Sequence, residues 1–330
     1  MRKKVAINGF GRIGRASFRA NLKQDLFDVV AINDLSDIYT TVQLLKYDSS
    51  YGTLESTIEI DGDYIVVDGK KILHLTQRDP SQLPWKELEI DVVLECTGIF
   101  KTKETAGMHL QAGAKKVVLS AAGKDIERTI VLGVNQDEYQ AETDNIISNA
   151  SCTTNCAAPI VMLLDQEFGI ESGYLSTVHS YTASQNILDN THKDFRRART
   201  AATNIIPTST SATKAIGMVL PQLEGKLTGQ AYRVPCANGS IIELNVLLSK
   251  STTVEEVHEL FKAASQNQLK GILDLSSEQL VSSDYVGNPY SSVIDMEFTH
   301  VLNGKMLRIL SWYDNEYGYS NRLIELANMC

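Results

Sequence analysis

Long apolar runs, a cysteine framework and a surplus of basic charge are all missing from this 330-residue chain. No stretch approaches the roughly 20 consecutive apolar residues that span a bilayer, so no membrane-spanning helix is expected. The opening MRKKVAINGF has basic residues but no apolar core ahead of its first glycine, and it does not read as a secretory signal. The five cysteines are Cys96, Cys152, Cys156, Cys236 and Cys330, an odd number in a long chain, which excludes a disulfide framework. Cys152 and Cys156 have no further Cys or His close by to complete a zinc site, so no metal is expected. Internal repeats and low-complexity segments are also missing. The net charge of −9 argues against nucleic acid and anionic membranes as partners, while leaving room for local basic pockets that take small anions. A reducing cytoplasm is the expected compartment.

What the chain does have is an ordinary globular composition, 43% hydrophobic and 22% charged. Its length exceeds that at which one core usually keeps growing, so two domains are expected. Lys4–Asn8 is a short apolar strand that runs into Gly9, Gly11 and Gly14 of a GxGxxG motif. A helical pattern follows over Arg15–Gln24, then a second apolar strand, Asp28–Asn33, which ends at Asp34, 20 residues after Gly14. Each part has a task in holding a dinucleotide. Gly9 allows a tight turn, Gly11 lets backbone approach a pyrophosphate, and Gly14 lets the helix pack on the strand. The helix N-terminus holds phosphate, and Asp34 accepts from the adenine ribose hydroxyls. Asp91–Cys96 and Lys116–Ser120 are continuous apolar runs of the kind buried in parallel sheets, and Thr102–Gly113 between them reads as a helix. Tyr64–Val67 and Lys71–Thr76 flank a turn at Asp68-Gly69-Lys70 and read as an antiparallel hairpin.

The stretch Ser148–Cys156, SNASCTTNC, places Cys152 at the start of a helix that carries the apolar run Ala157–Leu164 and stops at Gly169. A lone cysteine is most often a buried packing residue. At a helix N-terminus the same thiol is biased toward the thiolate and becomes a candidate nucleophile. His179 lies on the next element, a strand read over Ser172–Tyr181, 27 residues after Cys152, where the two side chains can meet. Cys156, one turn further on, reads as a packing residue.

AINGFGRIGR, SNASCTTNC, TVHSYT, RRAR, IIPTST, RVP and SWYDNEYGYS follow in this order. Together they are similar to the phosphorylating glyceraldehyde-3-phosphate dehydrogenases over residues 3–330. The resemblance implies an α/β protein. A Rossmann-type NAD-binding domain would span 1–151 and 315–330, and an α+β catalytic domain with a mostly antiparallel sheet would span 152–314. It implies NAD as cofactor, with NADP a weaker alternative, and glyceraldehyde 3-phosphate and inorganic phosphate as substrates. Cys152 would attack the aldehyde, with His179 as its acid and base. Arg12, Ile13, Arg78 and Ser120 would contact the cofactor, and Asn315 would hold the nicotinamide carboxamide. Thr182 and Arg233 would bind the substrate phosphate. Ser151, Thr153, Thr210 and the backbone of Ser211, with Arg197 nearby, would bind inorganic phosphate. A homotetramer of glycolysis and gluconeogenesis is implied, in which the loop Tyr181–Thr203 lies near a neighbour's cofactor. The basic run His192–Arg199 in that loop does not read as a nucleic-acid patch, given the acidic chain. Two other readings remain at this point: an erythrose-4-phosphate dehydrogenase, and a non-catalytic binding protein on the same scaffold.

The chain departs from the family pattern in four places. Thr210-Ser211 replaces Thr-Gly at the inorganic phosphate site, so an unsuitable backbone angle at Ser211 is one expectation. Pro235-Cys236-Ala237-Asn238-Gly239-Ser240 replaces Pro-Thr-Pro-Asn-Val-Ser, which implies a softer loop beside Arg233. Asn190-Thr191 replaces a Leu-Pro pair and resembles members that accept NADP, against which Asp34 argues. Ala121-Ala122 replaces Ala-Pro beside the cofactor.

Overall fold

A computed structural model describes residues 2–330 and divides the chain into two compact units. One unit holds the chain up to Ile130 with Asp137–Ala150 and Ser320–Cys330; the other holds Val131–Gln136 and Ser151–Tyr319.

The first unit is built on a nine-stranded sheet. From one edge its strands are Arg128–Thr129, Ile146–Ser148, Lys116–Leu119, Val92–Glu95, Lys4–Asn8, Asp28–Asn33, Lys70–Leu75, Tyr64–Val67 and Ile58–Asp61. Pairing is parallel as far as Lys70–Leu75, and the last two strands are antiparallel. The central strands are buried on both faces, which accounts for runs such as VAI and VVLE without polar alternation. The hairpin turns on Asp68 (φ 48°) and Gly69 (φ 79°), so Lys70 already pairs with Val67. Two positive φ values give the turn whose twist suits two-residue hairpins. Ile58–Asp61 extends this hairpin at the sheet edge. Its half-exposed IEID gave no clear signal in the sequence.

The first helix spans Arg12–Gln24 and starts inside the glycine motif, three residues before the apolar pattern suggests. The helix read over Thr102–Gly113 is Lys103–Gln111. Thr102 caps it, its hydroxyl accepting from the Thr105 amide at 3.1 Å.

The second unit has a seven-stranded sheet in the order Ile206–Thr208, Leu227–Val234, Ile170–Ser180, Ser240–Leu248, Met306–Tyr313, Ser292–Leu302, Leu273–Ser276. It is mostly antiparallel; Ile170–Ser180 with Leu227–Val234, and Leu273–Ser276 with Ser292–Leu302, are parallel. The helix Cys152–Phe168 packs on this sheet and is buried around nearly its whole circumference. Ser151 caps it, its side chain accepting from the Thr154 amide at 3.1 Å, a contact that typically stabilises a helix by about 1 kcal/mol. Gly169 ends it.

Candidate active site

In the first unit the turn after Lys4–Asn8 depends on two glycines. Gly9 has φ +88°, and a Cβ there would lie 2.6 Å from the Thr97 amide nitrogen. A Cβ on Gly14 would lie 2.2 Å from the Gly9 carbonyl oxygen, so helix and strand meet backbone to backbone. Gly11 is the helix N-cap; nothing lies within 4 Å of where its Cβ would be, and no side chain caps the helix. The first-turn amides therefore face open space suited to an anion.

A cleft of about 410 Å³ opens here, lined by Gly9, Gly11, Asp34 and Arg78 among others. Ser120, Arg12, Ile13 and Gly14 do not line it. Gly14 lies behind the turn, and Arg12 is turned to Asp48 and to the Tyr51 ring, 5.5 Å from its centroid. Asp34 accepts from the Phe10 amide at 2.7 Å, the Ser36 amide at 3.0 Å and the Ser36 hydroxyl at 2.8 Å. Burial pushes its pKa up, but these donors outweigh burial and hold the carboxyl below its usual range. Asp34 is thus a fixed carboxylate at the end of the second strand. A close-approach turn, an open helix end, a fixed carboxylate and a cleft of this volume fit a dinucleotide.

Cys96 and Thr97, at the end of a strand whose small terminal residues suit cofactor approach, also line the cleft; Asn8, Asn33 and Gln77 line it too and were not expected. Beneath them is a buried polar network. Trp85 donates to His109 Nδ1 at 2.9 Å, which leaves the ring proton on Nε2, 3.0 Å from Glu95 Oε2. Glu95 also accepts from the Thr97 amide at 2.8 Å and from Asn8. Asn33 donates to Asn8 at 2.7 Å and accepts from the Gln77 amide at 2.8 Å. Their one sequence signal was position, at the carboxyl ends of parallel strands.

In the second unit Cys152 is the first residue of its helix, and its Sγ lies 3.4 Å from His179 Nε2. His179 is 3% exposed and packs edge-on to Tyr313 at 5.9 Å. The Tyr313 hydroxyl is tied to Thr153 at 3.0 Å and Thr177 at 2.9 Å. Parallel pairing sets Arg233 opposite His179. Arg233 Nη1 stands 2.6 Å from His179 Nδ1 and donates to the Ser180 carbonyl at 2.9 Å. That carbonyl is also 2.7 Å from Nδ1. The two neighbours ask for opposite tautomers: a proton on Nδ1 donates to the carbonyl and leaves Nε2 as an acceptor facing the thiol, whereas a bare Nδ1 accepts from Arg233 and puts the proton on Nε2.

The electrostatics differ from the helix-end expectation. Burial pushes the Cys152 thiol up; Arg233 and the Thr153 hydroxyl and amide pull it back only in part. Burial pushes His179 down to about 3, and Arg233 pushes it the same way. Burial thus opposes the charged form of both groups, while Arg233 favours the thiolate and disfavours the imidazolium. Cys156 packs against Ser311, 3.6 Å away, and burial pushes its pKa up to about 12.

Arg233 has a buried Nε without a hydrogen-bond partner, and its proton affinity falls through burial and through the nearby charge of Arg197. Two guanidinium groups this close favour an anion. Asp194 lies 3.6 Å from Arg197, whose Nε donates to Thr208 at 2.8 Å. Thr210 and Ser211 precede the helix Ala212–Val219, and Thr210 accepts from the Ala212 amide at 3.2 Å. Ser211 has φ −92° and ψ 1°, angles that serine adopts readily, so the expected backbone conflict does not arise. Thr182 meets Ser184 at 2.9 Å in its own loop. Asn315 Oδ1 accepts from the Ser240 hydroxyl at 2.8 Å. The loop beside Arg233 is pinned rather than soft: the Ser180 hydroxyl donates to the Gly239 carbonyl at 2.9 Å, and Asn238 donates to Asp314 at 3.0 Å.

Among the described residues no His, Cys, Asp or Glu cluster is arranged to hold a metal, and no helix is long and apolar enough to cross a membrane.

Residues 3–103 match the family model described as glyceraldehyde 3-phosphate dehydrogenase, NAD binding domain, and residues 151–315 match the one described as its C-terminal domain. The chain is 54% identical over 327 residues to a glyceraldehyde-3-phosphate dehydrogenase of Geobacillus stearothermophilus, covering 99% of this chain and 98% of the relative. It is 53% identical over 326 residues to a relative of that name from Streptomyces coelicolor, covering 98% and 97%. It is 50% identical over 329 residues to glyceraldehyde-3-phosphate dehydrogenase 2 of Nostoc, covering 99% and 98%.

Proposed function

The chain belongs to the glyceraldehyde-3-phosphate dehydrogenase family, and from that premise we propose that it oxidises and phosphorylates D-glyceraldehyde 3-phosphate to 1,3-bisphosphoglycerate. The cofactor is NAD. The observation that carries the assignment of roles is the 3.4 Å approach of Cys152 Sγ to His179 Nε2 at a helix N-terminus beside Arg233.

Cys152 Sγ adds to the aldehyde carbon while its proton passes through His179 Nε2 to the carbonyl oxygen, which gives a hemithioacetal and returns His179 to neutrality. His179 Nε2 then takes that hydroxyl proton as the carbon–hydrogen bond breaks, which leaves an acyl thioester on Cys152. NAD, when bound, accepts the hydride. Inorganic phosphate attacks the thioester carbonyl, the acyl phosphate departs, and Cys152 regains a proton from His179. Thr182 and Arg233 hold the substrate phosphate. Ser151, Thr153, Thr210, the Ser211 amide and Arg197 hold the attacking phosphate. Gly9, Gly11 and Asp34 hold the pyrophosphate and adenine ribose, Gly14 lets the helix pack behind that turn, and Arg12, Ile13, Arg78 and Ser120 are further cofactor contacts. Asn315 holds the carboxamide.

The reading extends to a cytoplasmic homotetramer. Support for assembly comes from the loop 181–203, where Leu188 is 73% and Phe195 87% exposed, apolar surface that a protein neighbour would cover. Two of the arginines in that loop are already paired, Arg199 with Asp189 at 3.2 Å and Arg197 with Asp194, which favours a protein neighbour over nucleic acid. NADP is a weaker alternative cofactor. Initial rates with NAD and NADP, with and without phosphate, test the proposal: oxidation that ignores phosphate would remove the second half-reaction.

A further inference from the structure

We infer that Ser240 is a positioning residue that commits Asn315 to donate to the cofactor's carboxamide oxygen, an inference that rests on the role proposed above for Asn315. Ser240 opens the strand Ser240–Leu248 and is 1% exposed. Its hydroxyl accepts from the Ser180 amide at 3.1 Å and donates to Asn315 Oδ1 at 2.8 Å. A hydroxyl has one proton and two lone pairs. One lone pair takes the Ser180 amide, and the structure places Asn315 Oδ1 against the hydroxyl, so that the proton goes to Oδ1. The side-chain amide is thereby oriented with its Nδ2 turned away from Ser240. A carboxamide presents one acceptor oxygen and one donor nitrogen, and an asparagine that is free to flip binds either. Held by Ser240, Asn315 offers only N–H and selects the oxygen.

The backbone around this contact is anchored so that the selection has a fixed frame. Asp314 accepts from the Gly287 amide at 2.7 Å and from the Glu316 and Tyr317 amides at 2.8 Å. The Ser180 hydroxyl donates to the Gly239 carbonyl, next to Ser240. Ser180 also follows His179 directly, so the strand end that carries the base orients Asn315 through one hydroxyl.

The test is a binding cycle read by calorimetry. Ser240→Ala, Asn315→Ala and the double variant are titrated with NAD and with ADP-ribose, which lacks the nicotinamide. Ser240→Ala is expected to weaken NAD about 2- to 13-fold, the usual weight of one hydrogen bond, and to leave ADP-ribose unchanged. In the Asn315→Ala background the same substitution is expected to add nothing. Equal weakening of both ligands, or an effect that persists without Asn315, would show a merely structural role and overturn the inference. An Asn315→Ala variant with unchanged NAD affinity would overturn the reading of Asn315 itself, and the inference with it. Should Ser240→Ala fail to fold, Ser240→Cys keeps the volume with a weak donor and is expected to shift NAD in the same direction.

Discussion

Arg233 and His179 are register partners on adjacent parallel strands, and Nη1 of the one stands 2.6 Å from Nδ1 of the other. This fixed cation pulls the thiol of Cys152 toward ionisation and opposes protonation of His179. The two effects oppose each other in any proton transfer from the thiol to the imidazole. Loss or neutralisation of this charge therefore weakens the pull on the thiol and raises the basicity of His179 together.

Arg233→Gln is therefore expected to slow alkylation of Cys152 by neutral iodoacetamide at pH 7, by roughly 3- to 10-fold, a shift of half to one pKa unit. The KM for the aldehyde is expected to rise at the same time. Faster alkylation would mean that relief of burial at the thiol outweighs loss of the charge.

Cys152→Ser is expected to lose nearly all dehydrogenase activity while still binding NAD. His179→Asn is expected to lower kcat by about 10²- to 10⁴-fold, the usual weight of general acid–base catalysis. Stopped-flow rates with saturating cofactor check both. Near-normal turnover in Cys152→Ser would end its assignment as nucleophile.

Burial of neutral His179 gives a stability signature with a definite sign. Its folded pKa, about 3, lies below the unfolded value near 6.5. Between these values the unfolded chain binds the extra proton, so stability from this group is complete above pH 6.5 and is lost as pH falls through the window. From pH 6.5 to 5 the loss is about 1.6 kcal/mol, since the unfolded imidazole is already half protonated at pH 6.5. Urea unfolding of the parent and of His179→Asn at both pH values is expected to show the parent losing that much more; parallel losses would mean that His179 is hydrated in the native state.

These residues also mark what the sequence could and could not convey. The glycine turn, the parallel strands and the thiol at a helix start were legible because each is a local pattern: continuous apolar runs, a motif, a helix-stop glycine. His179 was legible because its strand follows the Cys152 helix directly. Arg233 came only from resemblance, since its place opposite His179 depends on pairing between strands far apart in the chain. The Glu95–His109–Trp85 network left no local trace, its members lying 14 and 24 residues apart on elements joined only by folding. The electrostatic setting of the thiol was out of reach for a similar reason. A helix end is visible in sequence, whereas desolvation of the thiol and the Arg233 charge beside it come from elements distant in the chain.

NAD is expected to be preferred over NADP because Asp34 is already fixed and ionised by the Phe10 and Ser36 donors. A carboxylate in that state suits two ribose hydroxyls and repels a 2′-phosphate. Asp34→Gly is expected to narrow the ratio of kcat/KM between the cofactors by 10-fold or more, about 1.4 kcal/mol. A wild-type ratio near one would mean that Asn190-Thr191 outweighs Asp34.

Ser211 provides the last test, in which no change is expected. It replaces the glycine usual at the inorganic phosphate site, and a required left-handed backbone would make Ser211→Gly lower the KM for phosphate. The observed φ of −92° is open to any residue, and Ser211 sits at the N-cap position of the helix Ala212–Val219 without a side-chain capping bond. Glycine in its place gains no needed freedom and increases the entropy of the unfolded chain. Ser211→Gly is therefore expected to leave the phosphate KM within about 2-fold of the parent and to lower stability by about 0.4–1 kcal/mol. Phosphate titrations of initial rate, with thermal unfolding alongside, decide the point; a markedly lower KM would show that the residue adopts another backbone angle when phosphate binds.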